Sequence, residues 1–329
     1  MSSRRSRSAR LVVIVAWVVV GVLWITTLAR LVAWDRWEVF AVLDALTLVL
    51  YLPALPIAVI AAWRRHWALA GASAVMILAQ IVFVAPEISA ATPLPHGLGG
   101  AVALRVFDAN VYQSNPSMAG YAREIRQDRP DVVTLEEASP FDLQQLISRH
   151  ALTHLPYQFW NGARGSRSLV IASRYVLGPT VDSSVDGIPF LARTSVDLPR
   201  GRLALWIVHT TAVIDPGVRQ WNDELDGVYR LLRSVRPRPL LVVGDFNATW
   251  SNRGFRAILS TGLTDAAAAR GEDFAMTWSQ LTFPLPPLIR IDHVLSGPGV
   301  VVTSIRTATG PGSDHRDLFA TVAVLDDPR

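Results

Sequence analysis

Leu240–Trp250 reads LLVVGDFNATW, and this stretch is the clearest structural signal in the chain. Its first four residues are apolar, which predicts a buried strand that Gly244 ends where the backbone turns tightly. Asp245 and Asn247 follow, and continued strand alternation would place both side chains on one face at the mouth of a sheet. A carboxylate beside a carboxamide can hold and polarise a water molecule, but the same residue types also cap helices. Both interpretations stay open at this point.

On either side of this stretch, short apolar runs alternate with polar, helix-compatible segments. This pattern predicts an α/β or α+β domain over most of the chain after residue 101. The predicted strands are 103–111, 131–135, 168–172, 194–198, 203–209, 240–244, 290–295, 300–303 and 318–324. The predicted helices are 118–127, 141–149, 220–234 and 252–260.

The composition excludes several kinds of chemistry. The 329-residue chain has no cysteine, so disulfides and thiolate metal sites are excluded. It also has no lysine, because all 31 basic residues are arginine, and this excludes a Schiff-base lysine and a P-loop lysine. Residues 1–100 hold eight Arg and four acids, whereas residues 101–329 hold 23 of each. The excess positive charge therefore belongs to the N-terminal part.

Three apolar segments near the N-terminus are long enough to cross a bilayer as helices. They cover residues 11–29, 39–63 and 67–85. A signal peptide is the competing interpretation of the first, but no small-residue cleavage site follows it. Pro53 and Pro56 would kink the second, and Asp44 would lie at the interface. We predict an all-helical membrane domain over 1–86, a Pro/Gly linker over 87–102 and a second domain over 103–329.

The distribution of arginine predicts the orientation. Four Arg precede the first span and Arg64-Arg65-His66 lies between the second and third spans, whereas the first loop balances two Arg against two acids. By the positive-inside rule the N-terminus is cytoplasmic, and three crossings place the second domain outside the cytoplasm.

Several predicted strands end in polar residues that are costly to bury without a partner. In chain order these residues are Asn110, Glu136 with Glu137, His209, Asp245 with Asn247, Asp292 with His293, and Asp314 with His315 and Arg316. The set is rich in oxygen donors and contains no cysteine, which favours Mg²⁺, with Mn²⁺ as the alternative, over Zn²⁺.

These motifs, in this order, resemble the endonuclease/exonuclease/phosphatase superfamily, which includes DNase-I-like nucleases, sphingomyelinases and inositol polyphosphate phosphatases. GDFNA at 244–248 and SDHR at 313–316 are the most specific pieces, and IDHVL at 291–295 supports them. The resemblance covers roughly residues 103–325. It implies a four-layer α/β sandwich, in which two packed mixed sheets are flanked by helices, and a metal-dependent hydrolase of phosphate esters.

The resemblance also implies a role for each matched residue. Glu137 is the principal metal ligand, with Asn110 and Asp314 beside the metal. Asp245 orients or deprotonates the attacking water, and Asp292 fixes the tautomer of His315, which acts as base, acid or charge stabiliser. The implied contacts to the substrate phosphate come from Asn110, His209 and Asn247.

Some positions depart from the family pattern or carry weaker signals. Glu136 stands where Gln is common, and strand alternation would put it on the opposite face from Glu137, so only one of the two faces the metal. Asp317 and Val176 stand where Pro is common. Arg164 and Arg167 lie in a Gly/Ser-rich loop, where they either clamp an anionic substrate or are surface charges; we assign Arg167 to the phosphate site. His150, His154 and His293 are interpreted as solvated or packing residues.

Two substrate classes fit these features. The first is a lipid bilayer component, such as a phospholipid, a phosphoinositide or a polyprenyl pyrophosphate carrier. Three-span members with this layout resemble the VanJ-type proteins associated with teicoplanin resistance, which by analogy favours a cell-wall lipid carrier. The alternative is extracellular nucleic acid, but a nuclease usually carries excess positive charge in its own domain. A catalytically inactive binding module is disfavoured because every matched position holds a competent residue.

Overall fold

The computed structural model describes residues 2–88, 91–163, 165–181, 191–235, 239–280 and 286–325. The chain divides into two compact units. One comprises Met1–Glu87 with Ser251–Arg253, and the other comprises Ile88–Trp250 with Gly254–Arg329.

The N-terminal unit is helical because its sequence is almost continuously apolar. Its helices are α1 (Ser2–Ala33), α2 (Glu38–Ala45), α3 (Thr47–Leu50), α4 (Ala54–Trp63) and α5 (Trp67–Val84). Two stretches, Arg10–Ala33 and Trp67–Val84, are long and apolar enough to cross a membrane.

The predicted second span is not one straight helix. It is bent by 76° where α2 gives way to α3, so it is either one interrupted span or a re-entrant segment. The bend therefore lies at Leu46, before the prolines that we expected to cause it. Pro53 lies just before α4 and Pro56 lies in its first turn, where a missing backbone N–H is tolerated.

Three polar side chains inside this unit contact one another. Arg30 donates to the hydroxyl of Thr47 at 2.8 Å and lies 3.9 Å from the carboxylate of Asp44. Both charged side chains are buried, so Asp44 pairs with Arg30 inside the helical unit, and its interfacial position stays a prediction.

The second unit is built on two mixed sheets. The strands are β1 (Val102–Asn110), β2 (Val132–Glu136), β3 (Tyr157–Trp160), β4 (Leu169–Ser173), β5 (Leu191–Asp197), β6 (Arg202–His209), β7 (Leu240–Asp245), β8 (Thr264–Asp265), β9 (Asp292–Ser296), β10 (Val300–Thr309) and β11 (Arg316–Val324). The first sheet has the order β10-β11-β1-β2-β4-β3, and the second has the order β5-β6-β7-β9-β8. In each sheet one neighbouring pair is parallel, β1 with β2 and β6 with β7.

Alternation along the strands explains how the layers pack. Leu104 and Val106 of β1 point inward and share a core with Leu205 of β6 and Val243 of β7. Phe107 and its neighbours on the outer face pack instead under two helices. The helices of this unit are α6 (Ala119–Asp128), α7 (Pro140–Ser148), α8 (Val218–Val235), α9 (Arg253–Leu259) and α10 (Ala266–Arg270). The architecture is the expected α/β sandwich of two mixed sheets flanked by helices.

The boundaries differ from prediction in a few places. β3, β8 and α10 were not predicted, and β10 continues to Thr309, six residues beyond its predicted end. The described part of the predicted Pro/Gly linker is irregular up to β1 except for one turn of 3-10 helix (Leu98–Gly100), but it is not free of the domain. The backbone of Thr92 bonds to Ala269 and Arg270, and Arg200 donates to the carbonyl of Gly100.

Candidate active site

Residues from the carboxyl ends of strands in both sheets meet at one centre. Asn110 ends β1 and Asp245 ends β7, and the Asn110 side-chain amide donates to the Asp245 carboxylate at 3.2 Å. His209 ends β6 opposite Asp245 in the register of the parallel pair. Its Nε2 lies 3.8 Å from Asp245 Oδ2 and 3.7 Å from Glu137 Oε1. Four of the predicted site residues are therefore neighbours, although two belong to each sheet.

Glu137 reaches this centre through its backbone conformation. β2 ends at Glu136, and Glu137 has a φ of 61°, in the left-handed region that non-glycine residues rarely adopt. Its two carboxylate oxygens accept hydrogen bonds from the backbone of Gln113 at 2.8 Å and from Asn110 at 3.3 Å. Glu136 is instead fully buried on the inner face of the sheet. Only one of the two faces the cavity, as alternation predicts, but a turn and not alternation directs Glu137 there.

A tight turn brings Asp245 and Asn247 together. The strand does not continue past Asp245, whose Oδ1 accepts the backbone N–H of Asn247 at 2.7 Å in an Asx turn. Asn247 has a φ of 47°, and its amide donates to the carbonyl of Thr210 at 2.9 Å. Asp245 therefore caps a turn and not a helix, and both side chains stay at the mouth of the sheet.

His315 and Asp292 form a buried pair. The Nδ1 of His315 donates to both carboxylate oxygens of Asp292, each at 3.0 Å. Burial opposes protonation of His315, but the carboxylates of Asp292 and Asp245 outweigh this and raise its pKa to about 10. The ring is therefore an imidazolium at neutral pH, with Nε2 facing Asp245 Oδ2 at 3.7 Å.

Carboxyl groups crowd the layer beneath this centre. Burial raises the pKa of Asp108 to about 7, and it raises the pKa of Glu136 well above its usual range, helped by the charges of Asp108 and Asp292. The pKa of Asp245 is also raised well above its usual range, mainly by burial and next by the charge of Asp292. By contrast, burial lowers the pKa of His209, although Glu137 opposes the shift. The centre thus crowds together more carboxyl groups than its cationic side chains can balance in their ionised form, and a bound cation would favour that ionised form.

The centre opens into a cavity of about 540 Å³. Asp314 lines it, accepts a hydrogen bond from Trp278 Nε1 at 3.0 Å and lies 4.0 Å from His315 Nε2. Arg167 lines the cavity from the loop before β4, whereas Arg164 lies outside the described residues. Every residue that we assigned to the site lines this cavity except Asp292, which lies behind His315.

The donors fit a divalent cation. Asp245, Asp292 and His315 have donor atoms within 4.8 Å of one another, but the Nδ1 of His315 is already committed to Asp292. Glu137 and Asp314 present carboxylates to the cavity, and oxygen donors of this kind suit Mg²⁺ or Mn²⁺. A divalent charge would also offset the buried carboxylates. Asn110 turns its amide nitrogen toward the carboxylates while its oxygen accepts the N–H of Tyr112, so its assignment as a metal ligand stays a prediction.

Sequence reasoning missed several residues around the cavity. Tyr112, Gln113, Thr210 and Trp278 all line it. Tyr112 has a φ of 61°, so it shares a left-handed conformation with Glu137 and Asn247. Such strain concentrates at functional sites, but backbone angles of this kind leave no pattern in a single sequence.

Two of the remaining histidines pack elsewhere in the domain. His154 bonds to the carbonyl of Pro130. His293 contacts Asp265 and Ala248 on the opposite face of β9 from Asp292. Both agree with their interpretation as packing residues.

Comparisons with known proteins agree with this geometry. A sequence profile described as the Endonuclease/Exonuclease/phosphatase family matches residues 106–315. Solved structures with the same fold include humanized D. rerio TDP2 at 17% identity, with a TM-score of 0.55 over 67% of this chain and 98% of that chain. A 3'-5' exonuclease from Neisseria meningitidis also has 17% identity and a TM-score of 0.55, over 68% and 100%. An AP endonuclease from Archaeoglobus fulgidus has 16% identity and a TM-score of 0.54, over 68% and 99%. No curated protein matches the chain.

Proposed function

Because this chain belongs to the endonuclease/exonuclease/phosphatase family and is a metal-dependent hydrolase of phosphate ester bonds, we propose that its substrate is a lipid-linked phosphate or pyrophosphate ester. Candidates are a phospholipid and a polyprenyl pyrophosphate carrier. In this proposal the enzyme is anchored in the cell membrane with its catalytic domain outside the cytoplasm.

The charge of the cavity carries the choice of substrate. Among the described residues that line it, four are carboxylates and one, Arg167, is a guanidinium. Nucleic acid binding is dominated by contacts of Lys and Arg with several phosphates along the strand. A site with a single arginine suits a ligand with one phosphate or pyrophosphate group and an uncharged remainder.

Two other observations support a lipid. Residues 101–329 have no net charge, so the domain offers no general attraction to a polyanion. The same chain carries two helical stretches apolar enough to cross a bilayer, which would hold the enzyme in the membrane that contains such a substrate.

The metal site is part of the proposal. Glu137 and Asp314, with Asn110 beside them, would hold Mg²⁺, for which Mn²⁺ can substitute. A bound cation of this kind neutralises developing charge on the phosphoryl group and lowers the pKa of water. The backbone N–H of Gln113 fixes the Glu137 carboxylate in position for this role.

The remaining residues bind the phosphate and move the protons. Asp245, held by the N–H of Asn247, orients the attacking water and accepts its proton. Asn110, Asn247 and His209 donate to phosphoryl oxygens, and Arg167 binds a second anionic group. His315 is already protonated, because the carboxylates around it raise its pKa, so it donates to a phosphoryl or leaving-group oxygen and does not act as the initial base.

A physiological role follows from the same arrangement. An extracytoplasmic enzyme that removes phosphate from a cell-wall lipid carrier would alter the supply of that carrier. The sequence resemblance to VanJ-type proteins makes an effect on glycopeptide resistance the corresponding cellular prediction.

A panel of substrates tests the proposal. The full-length protein in detergent would be assayed with Mg²⁺ on plasmid DNA, on a dispersed phospholipid and on a polyprenyl pyrophosphate. We expect phosphate release from a lipid substrate and little nicking of the plasmid. Rapid nicking with no lipid turnover would instead establish the alternative, a cell-surface nuclease.

A further inference from the structure

The turn that carries Asp245 and Asn247 is held from behind through its backbone carbonyl groups. The carbonyl oxygens of Phe246, Asn247 and Ala248 follow one another in the chain, and each accepts a hydrogen bond from a buried side chain. The donors, in the same order, are Thr210 Oγ1 at 2.5 Å, Trp221 Nε1 at 3.1 Å and His293 Nε2 at 3.0 Å. They come from the residue after β6, from α8 and from β9, so three separate parts of the fold converge on this turn.

The turn needs these donors because the strand ladder stops where it begins. β7 ends at Asp245, and Asn247 then has a φ of 47°, in the left-handed region that non-glycine residues rarely adopt. Conformations of this kind persist only where the surrounding contacts hold them. A carbonyl group in a buried segment also requires a donor, and past the end of the ladder that donor has to come from outside the strand. The three side chains therefore hold a strained turn in place.

His293 is itself fixed in the orientation that lets it donate. Its Nδ1 lies 2.8 Å from Asp265 Oδ2, and Arg290 binds the same oxygen at 3.3 Å. Burial favours the neutral form of Asp265, but the charges of Arg290 and His293 outweigh this and hold the pKa of Asp265 well below its usual range. Because this carboxylate and the carbonyl of Ala248 only accept hydrogen bonds, both ring nitrogens of His293 donate. The ring also lies against that of Phe255, with the centroids 4.1 Å apart.

We propose that Thr210, Trp221 and His293 are positioning residues for the hydrolysis of phosphate esters, which keep Asp245 and Asn247 in their reactive arrangement by binding the carbonyls of the turn. This inference rests on the roles proposed for Asp245 and Asn247, and it does not depend on which phosphate ester is the substrate. His293 is the most informative of the three because it does not line the cavity and acts through the turn. Displacing a reacting group by about 1 Å typically costs about 100-fold in rate.

A pair of substitutions tests the role of His293. The amide nitrogen of His293→Gln can take the place of Nε2 and donate to Ala248, whereas the shorter side chain of His293→Asn reaches only the place of Nδ1. We expect His293→Asn to speed amide hydrogen exchange in residues 245–250 about tenfold, which is the effect of one lost hydrogen bond. It should also lower kcat about 100-fold. His293→Gln should recover most of both losses.

Both measurements use the full-length protein in detergent. Mass spectrometry follows the hydrogen exchange, which needs no substrate and therefore tests the turn even if the proposed lipid is not hydrolysed. Mg²⁺-dependent turnover is measured on plasmid DNA, on a dispersed phospholipid and on a polyprenyl pyrophosphate, and kcat is compared on the substrate that the wild type hydrolyses.

Another histidine supplies a matched control. The Nε2 of His154 also bonds to a carbonyl oxygen, that of Pro130, but His154 does not line the cavity. His154→Asn should leave both kcat and the exchange of residues 245–250 unchanged. If His293→Asn does not fold, Thr210→Val removes the hydroxyl that binds the carbonyl of Phe246 at nearly the same side-chain volume. That variant should show the same two effects.

Two results would overturn the proposal. One is a folded His293→Asn protein with the hydrogen exchange and the kcat of the wild type. The other is an equal loss of activity in His293→Asn and His293→Gln that follows their melting temperatures, with no local change in exchange at residues 245–250. That second result would make His293 a packing residue only.

Discussion

The pairing of His315 with Asp292 determines how the active site responds to pH. The pKa of His315 rises from 6.5 to about 10 in the folded protein, because Asp292 and Asp245 outweigh the effect of burial. A raised pKa means that the folded state binds this proton more tightly than the unfolded chain does. The resulting stabilisation is complete below pH 6.5 and is lost as the pH rises toward 10.

Replacing Asp292 tests this linkage. In EDTA at about pH 6.5 we expect the free energy of unfolding of Asp292→Asn to be about 3 kcal/mol lower than that of the wild type, because the substitution breaks a buried ion pair. The difference should shrink as the pH approaches the raised pKa of His315, which is about 10. Chemical denaturation of both proteins at several pH values measures it, and a difference that does not depend on pH would contradict the linkage.

Removing either Asp245 or His315 should abolish catalysis without unfolding the domain. Loss of the group that takes the proton from water, or of the imidazolium that donates one, typically costs about 10³-fold in rate. Asp245→Ala also relieves crowding among buried carboxylates, which raises the pKa of Asp245, so the melting temperature of this variant should stay near that of the wild type. Mg²⁺-dependent phosphate release and circular dichroism measure the two effects. Retained activity in both alanine variants would refute the assigned roles.

At the scale of single residues, the sequence predicted which side chains meet but not always how. Polar residues at strand ends predicted Asn110, His209 and Asp245, because parallel neighbours end at the same edge of a sheet. Glu137 depends on a left-handed φ that no alternation rule gives. Trp278 enters from an irregular segment between α10 and β9, and no periodic pattern identifies such residues.

Among the elements, β7 depends most on a single backbone position. Gly244 has a φ of 123°, and a Cβ atom there would clash with the carbonyl oxygen of Val208 on β6. The strand pair that carries His209 and Asp245 can therefore approach only with glycine at this position.

Gly244→Ala should accordingly destabilise the domain and displace Asp245. We expect a loss of about 3 kcal/mol or more, from backbone strain together with the clash. Gly262→Ala is a matched control, because Gly262 also has a positive φ of 100° but nothing lies within 4 Å of its added Cβ. That variant should lose only about 1 kcal/mol. Equal melting temperatures for the two variants would contradict the packing argument.

The elements that sequence reasoning missed have weak local signals. β3 (Tyr157–Trp160) is an edge strand whose residues are exposed or half-buried, so it lacks an apolar run. β8 (Thr264–Asp265) is two residues long and exists only by pairing with β9. β10 continues past a register shift between Val302 and Ser304, where the pairing with β11 and not the local sequence keeps it extended.

For the whole molecule, the choice of substrate depends on the side of the membrane on which the catalytic domain lies. The arginine distribution predicts a cytoplasmic N-terminus, but the break in the second predicted span makes the number of crossings two or three. Two crossings would return the domain to the cytoplasm, where an extracytoplasmic lipid substrate is out of reach.

The absence of cysteine allows a direct test of this orientation. Ser260→Cys and Arg65→Cys each introduce a single thiol at an exposed position, one in the catalytic domain and one between the second and third predicted spans. With three crossings, a membrane-impermeant maleimide should label the Ser260→Cys protein in intact cells and the Arg65→Cys protein only after permeabilisation. Protection of Ser260→Cys in intact cells would place the domain in the cytoplasm and remove the basis for an extracytoplasmic lipid carrier, while leaving the phosphoesterase chemistry unaffected.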